Sequence, residues 1–195
     1  RNQTKLFGLG EYFNELAGFY NRGIYPNKIL FSGQKGIGKS TLAFHFVNYV
    51  LTLNDKYKYD IQNFNINIES SAFKTIQNKS NPNLITVDIN EDKKSIDIGQ
   101  IRDLITNLNK SSFNDDPRFV LIDNIELMNI NSINALLKVL EEPNDNVNFI
   151  LINNNKKNLP TLLSRCINFK INLSNNNYLE ISNKLLNDDL YNLVS

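Results

Sequence analysis

Ile29-Leu30-Phe31-Ser32-Gly33-Gln34-Lys35-Gly36-Ile37-Gly38-Lys39-Ser40-Thr41 is the stretch whose reading decides the fold of this chain. Three apolar residues suffice for a short buried strand, and residues 33–40 satisfy the spacing G-x-x-x-x-G-K-S of a phosphate-binding loop. Glycines at 33, 36 and 38 let backbone N–H groups curl around phosphate oxygens. The helix expected to start at Lys39 turns its positive N-terminal end toward the same charge. In such a loop Lys39 reaches the outer phosphates, the Ser40 hydroxyl ligates Mg2+, and Gln34, Lys35, Ile37 and Thr41 complete the nucleotide surround. A Gly-rich turn that holds no ligand, or a degenerate copy of the loop, is the competing reading.

On the N-terminal side Leu6, Leu9, Phe13, Leu16, Ala17 and Tyr20 recur at helical spacing, which predicts an amphipathic helix ending near residues 21–23 and capping a sheet. On the C-terminal side an apolar-faced helix is expected from Lys39 to about Leu53. Residues 54–82 are rich in Asn and Lys without a steady period and read as loops with one short helix. Strands are expected at 84–87, 119–122, 147–152 and 167–171, with helices built on Ile98, Ile101, Leu104, Ile105 and Leu108 and on Ile133, Leu136, Leu137 and Leu140. Pro143 stops the latter helix. Parallel strands need crossovers of helical length, so this alternation predicts an α/β domain with a five-stranded parallel sheet covered on both faces. Ser174 is an expected N-cap for a last helix carrying Tyr178, Leu179, Ile181, Leu185 and Leu186. The expected division is therefore a nucleotide-binding domain over 1–173 and the start of a small helical lid over 174–195.

Composition narrows the function classes. The 195 residues include 21 Lys plus Arg against 20 Asp plus Glu, a net charge of +1, so no bulk field draws the chain onto nucleic acid and any such contact must be local. One Cys excludes an internal disulfide, and one Cys with one His excludes a Cys-rich zinc site. His45, lacking a second ligand, reads as a packed or surface residue. The apolar runs are too short to span a bilayer, so a cytoplasmic location with no membrane partner is expected. The chain opens on Arg1 and closes on Ser195 after a helix-like stretch, as expected of a portion of a longer protein.

A nucleotide site also needs a carboxylate for Mg2+ at the end of a buried strand on the same sheet edge, and Phe119-Val120-Leu121-Ile122-Asp123 supplies one. An Asp at a strand end also serves as a helix cap, which is the alternative role for Asp123. Asn124 follows, and a carboxamide accepts no proton at neutral pH, so little hydrolysis by this chain alone is expected.

Three further segments point in one direction. Residues 134–143, Asn-Ala-Leu-Leu-Lys-Val-Leu-Glu-Glu-Pro, precede Phe149-Ile150-Leu151-Ile152-Asn153 and then Leu162-Leu163-Ser164-Arg165-Cys166. In this order they resemble the clamp-loader subunits of the AAA+ superfamily, from the first helix to Cys166. The lack of a four-Cys zinc module and of an Asp-Glu pair at 123–124, together with Ile98-Gly99-Gln100-Ile101-Arg102-Asp103-Leu104, makes the chain most similar to delta-prime subunits of bacterial DNA polymerase III.

That resemblance implies an AAA+ core binding ATP and Mg2+, with Arg165 acting in trans as an arginine finger on a neighbouring subunit's nucleotide. It implies a sensor role for Asn153 near the γ-phosphate and template contacts near Gln100 and Arg102. It also implies loader ATPase subunits (gamma/tau) and a delta subunit as partners, a sliding clamp and primed DNA as substrates of the complex, and a C-terminal collar domain absent from these residues. The alternatives are a local surface ion pair for Arg165, a polar loop for 153–155, another AAA+ or P-loop ATPase acting on DNA, and a nucleotide-free scaffold.

Overall fold

The computed structural model describes residues 3–90, 93–110, 115–142, 146–154, 160–173 and Ile181. Five strands, β1 (Lys28–Ser32), β2 (Leu84–Val87), β3 (Arg118–Ile122), β4 (Val147–Asn153) and β5 (Ile167–Lys170), form one sheet in the order β2-β3-β4-β1-β5. Every pairing is parallel. The helices are α1 (Gly10–Asn21), α2 (Lys39–Leu51), α3 (Ser71–Gln77), α4 (Ile98–Leu108), α5 (Ile130–Glu141) and α6 (Pro160–Leu163), with a one-turn 3-10 helix at Ile125–Leu127. The expected five-stranded parallel sheet is thus present, each strand within a residue or so of its sequence-based bounds.

Two hydrophobic cores explain why the strands read as unbroken apolar runs rather than alternating ones. Ile29 and Phe31, Phe119 and Leu121, and Ile150 and Ile152 point to the face covered by α1 and α2, where Phe13, Leu16, Leu42 and Phe46 meet them. Leu30, Val120, Ile122, Phe149 and Leu151 point the other way, onto Leu104 and Leu108 of α4 and Leu136 and Leu140 of α5. Successive residues of one strand thus seal opposite faces, as the two-residue period of a strand requires.

Local chemistry sets the helix ends. Asp97 accepts from the Gln100 backbone while the Gln100 side chain accepts from the Asp97 N–H, a capping box that starts α4. The α4 C-terminus is closed by Arg118, which donates to the carbonyls of Asn107, Leu108 and Lys110. Asn129 caps α5 by accepting from the Ser132 N–H, and Lys28 donates to the Leu140 carbonyl near the other end of that helix.

The first helix begins later than its apolar spacing suggests. Gly8 stands at φ +66°, the side chain of Ile181 fills the space a Cβ there would need, and the helix starts only at Gly10. Leu6 and Leu9 are buried all the same, so their spacing reports burial and not helix. Pro143, residues 155–159 and the expected lid from Ser174 lie outside the described residues, Ile181 excepted. Among the described residues no helix is long and apolar enough to cross a membrane.

His45 is wholly buried on α2, where its Nδ1 is 2.9 Å from the Tyr59 hydroxyl and its Nε2 is 3.1 Å from the Gln3 carbonyl. A carbonyl only accepts, so Nε2 carries the proton and Nδ1 accepts from Tyr59. Burial lowers the imidazole pKa from 6.5 to about 4, against a smaller opposing effect of the Gln3 carbonyl. The unfolded chain takes up a proton near pH 6.5 and the folded one only near pH 4. Stability from this residue is therefore complete above pH 6.5 and falls as pH drops toward 4, by about 3 kcal/mol in all. Urea unfolding at pH 7 and pH 4.5 is expected to show this loss, and His45→Phe is expected to shrink it.

Candidate nucleotide site

All parallel strands point their carboxyl ends the same way, and the loops leaving those ends gather the polar groups of the site. The loop after β1 turns through left-handed glycines, with φ +85° at Gly36 and +89° at Gly38. A Cβ at Gly36 would meet only open space, whereas one at Gly33 would strike the Ile171 carbonyl beyond β5. Gly33 is thus demanded by the fold, and Gly36 by the backbone turn alone. Gln34, Lys35 and Gly36 are exposed, Ile37 is buried, and Ser40 and Thr41 are half-buried. No side chain caps α2, which leaves its first N–H groups for an anion.

Lys39 is only 2% exposed. Its ammonium folds back onto the loop, donating to the carbonyls of Gly33, at 3.0 Å, and of Gln34. Burial lowers its pKa, and the nearby carboxylates of Asp123 and Glu126 oppose that shift. A cation held under the loop beside two carboxylates is the arrangement expected before a phosphate chain replaces the carbonyls as its partner.

The carboxylates are tied together by one residue after β4. Asn154 donates its backbone N–H to Glu126 Oε2 at 3.1 Å, and its side-chain Nδ2 to Asp123 Oδ1 at 2.9 Å and to Asn124 Oδ1 at 3.0 Å. Asp123 Oδ1 also accepts from the Asn124 N–H, so these bonds converge on one oxygen and leave Oδ2 for a water or cation. Asn124 adopts φ +56°, a left-handed conformation that Asn tolerates, and donates Nδ2 to Asp88 Oδ1 at 2.9 Å. Gln100 reaches the same corner by donating to the Asp88 carbonyl at 2.7 Å. Its side chain therefore serves the capping box and the end of β2.

Three of these groups escaped sequence reasoning. Glu126 is 8% exposed on the one-turn helix after Asp123, and only its neighbourhood to a strand-end acid could have singled it out. Asn154 and Asp88 meet Asp123 and Asn124 because β2, β3 and β4 are adjacent, a relation no local pattern carries. Asn153 is buried at the end of β4, paired in register with Ser32, the residue before the phosphate loop. The carboxamide that touches Asp123 is that of the next residue.

Beside the loop lies a mostly apolar cavity of about 170 Å³ whose lining includes Leu6, Phe7, Leu9, Ile37, Thr41 and Ile181. Its apolar walls and its position against the start of α2 suit a flat heteroaromatic ring attached to a phosphate chain.

Arg165 sits elsewhere. Ile29 pairs with Ile167, so a residue two positions before Ile167 lies at the amino edge of the sheet, opposite the phosphate loop. At about 3.3 Å per residue the two ends of the strands are roughly 15 Å apart. The guanidinium donates Nε and Nη2 to Glu141 Oε1 at 3.1 and 2.5 Å, and Nη1 to the Thr161 carbonyl at 2.9 Å and Ser164 Oγ at 3.1 Å. It is half-buried and cannot serve the loop of its own chain. The Cys166 thiol next to it is buried, which pushes its pKa up to about 11 and keeps it protonated at neutral pH. Among the described residues no cluster of His, Cys, Asp and Glu is able to hold a metal by itself.

Comparison with known proteins gives a consistent picture. The family model described as DNA polymerase III, delta subunit, matches residues 9–175. The chain is 30% identical over 147 residues to the DNA polymerase III subunit delta' of Pseudomonas aeruginosa, covering 75% of this chain and 43% of that protein. It is 28% identical to the delta' subunit of Buchnera aphidicola subsp. Schizaphis graminum, over 94% of this chain and 55% of the relative. The tau subunit of Escherichia coli is 30% identical over 85% of this chain and 25% of its own length. Among solved structures, a gamma subunit-related protein from Thermotoga maritima superposes with a TM-score of 0.56 at 21% identity, over 83% of this chain and 47% of that one. The chain spans about half or less of the length of these relatives.

Proposed function

The chain belongs to the DNA polymerase III delta-subunit family, and from that premise we propose that it is the nucleotide-binding domain of a delta-prime-type clamp-loader subunit. The observation that carries the nucleotide half of this reading is Lys39, buried under a glycine loop and close to Asp123 and Glu126 at the carboxyl edge of the sheet. Gly33 to Thr41 would wrap the phosphates of ATP, with Lys39 leaving the Gly33 and Gln34 carbonyls for the outer phosphates. Ser40 and the open Oδ2 of Asp123 would hold Mg2+, which supplies charge neutralisation at the phosphates. Asn153, at the end of β4, and Asn154 just after it would sense the γ-phosphate end. The apolar cavity beside the loop would take the base, with Ile181 among its lining residues.

Two features favour binding over hydrolysis. Asn124 cannot take a proton from water, and its side chain already bonds Asp88 and Asn154. Arg165 is remote from its own loop, so it would act on a nucleotide held by a neighbouring subunit. The partners would then be the gamma/tau ATPase subunits and the delta subunit, and the complex would act on a sliding clamp and primed DNA in the cytoplasm. Clamp loading onto primed circular DNA, reconstituted from purified subunits with and without the full-length protein, tests this. The reading expects loading only when it is present; equal loading without it rejects the reading.

A further inference from the structure

Opposite Ile37 and Thr41, the wall of the base cavity is formed by residues that no sequence pattern connects to the phosphate loop. Residues 3–7 supply Gln3, Leu6 and Phe7 to that wall. They are held from behind by residues 59–66, part of the Asn- and Lys-rich stretch that reads as loops with one short helix. The Leu6 N–H donates to the Phe64 carbonyl at 2.9 Å, the Ile66 N–H donates to the Thr4 carbonyl at 2.8 Å, and Lys5 and Asn65 form an antiparallel bridge between them. The segment is itself pinned: Asp60 and Asn65 exchange both backbone hydrogen bonds, at 2.9 and 3.0 Å. The Tyr59 ring stacks on Phe13 of α1 at 4.8 Å, and its N–H donates to Thr52 Oγ1.

His45 joins these pieces to α2. It sits on the helix that begins with Lys39, accepts from the Tyr59 hydroxyl, and donates to the Gln3 carbonyl on the cavity wall. One rigid helix therefore fixes both ends of the site, the phosphate end through Lys39 and the wall at the far end through His45. Gln3 to Phe7 otherwise belongs to no helix or strand of the sheet, so these contacts are what hold the strip in place.

We propose that His45 and Tyr59 are positioning residues for the nucleobase, holding residues 3–7 against α2 so that the cavity beside the phosphate loop stays shaped for a purine ring. This rests on the nucleotide reading above and adds a selective consequence. Loosening the strip removes the base contribution to affinity and spares the phosphate contribution, because Lys39, Ser40 and the loop amides do not depend on residues 3–7.

The test uses the full chain with two probes, Mg2+-ATP and inorganic tripolyphosphate, on the unaltered protein, His45→Phe and Tyr59→Phe. His45→Phe removes the donor to Gln3; Tyr59→Phe removes only a hydroxyl, keeps the ring stack, and serves if the first variant fails to fold. Losing one buried hydrogen bond is expected to weaken ATP binding about fivefold to tenfold in His45→Phe and about twofold to fivefold in Tyr59→Phe. Tripolyphosphate affinity stays within about twofold, and the Leu6 and Ile66 amides exchange hydrogen faster. Unchanged ATP affinity in the folded variants overturns the proposal, as does an equal loss for both probes. An unaltered chain that binds neither probe rejects the nucleotide reading itself, whereas one that binds both equally rejects the base cavity alone.

Discussion

Replacing Lys39 by Ala is expected to weaken binding of Mg2+-ATP by about 100-fold or more while leaving the fold intact. The ammonium is buried, and its present acceptors are two loop carbonyls that a phosphate chain outbids as charged oxygens. Charge-assisted hydrogen bonds contribute about 1.5–3 kcal/mol each, and losing one or two of them corresponds to that factor. Stability should move by only about 1 kcal/mol, because the lost bonds to Gly33 and Gln34 are offset by removal of a desolvated charge. The check is the rise in melting temperature caused by saturating ATP, which the unaltered chain should show and Lys39→Ala should lose at unchanged circular dichroism. A retained shift would mean that the loop is not what holds the nucleotide.

The second large effect is expected at Arg165. In a loader assembled from the full-length protein, Arg165→Ala should slow turnover at the neighbouring site proposed for it by about 100-fold or more, since a guanidinium against the transferring phosphoryl group contributes at least that. Arg165→Lys should not rescue it, because an ammonium lacks the planar fork. Folding should be unaffected within about 1 kcal/mol: the pair with Glu141 is partly exposed, with side-chain exposures of 33% and 52%, and such pairs contribute little. DNA-stimulated ATPase of the assembly reads the effect directly. Unchanged turnover would leave the local ion pair as the whole role of Arg165, the more ordinary reading of a surface arginine.

Much of the fold is legible because a parallel sheet covered on both faces must be apolar on both faces. Residues 119–122 and 147–152 could hardly be anything but buried strands, and the glycine loop between β1 and α2 fixes which sheet edge carries the site. The elements that escape are those too short to show a period: the turn at Ile125–Leu127 and α6. The segment 54–70 escapes for a different reason. Its order comes from Phe13, His45 and residues 4–6, partners far away in the chain, and not from any repeat of its own.

The site divides along the same line. Lys39, Ser40 and Asp123 follow from motif spacing, since the chemistry of phosphate binding dictates both residue types and intervals. Glu126, Asn154 and Asp88 become visible only when β2, β3 and β4 lie side by side and their ends share one corner. The remoteness of Arg165 from its own loop likewise depends on the register between β1 and β5. A motif names the residue, and only the register shows that it stands at the sheet edge opposite its own loop.

The central claim is that this domain holds a nucleotide through its glycine loop, and a titration of the unaltered chain with a fluorescent ATP analogue in Mg2+, repeated without the metal, tests it most directly. The account predicts saturable binding of one nucleotide per chain that weakens when Mg2+ is withheld, as Ser40 and Asp123 holding the ion require. Absence of saturable binding by the folded chain would contradict it.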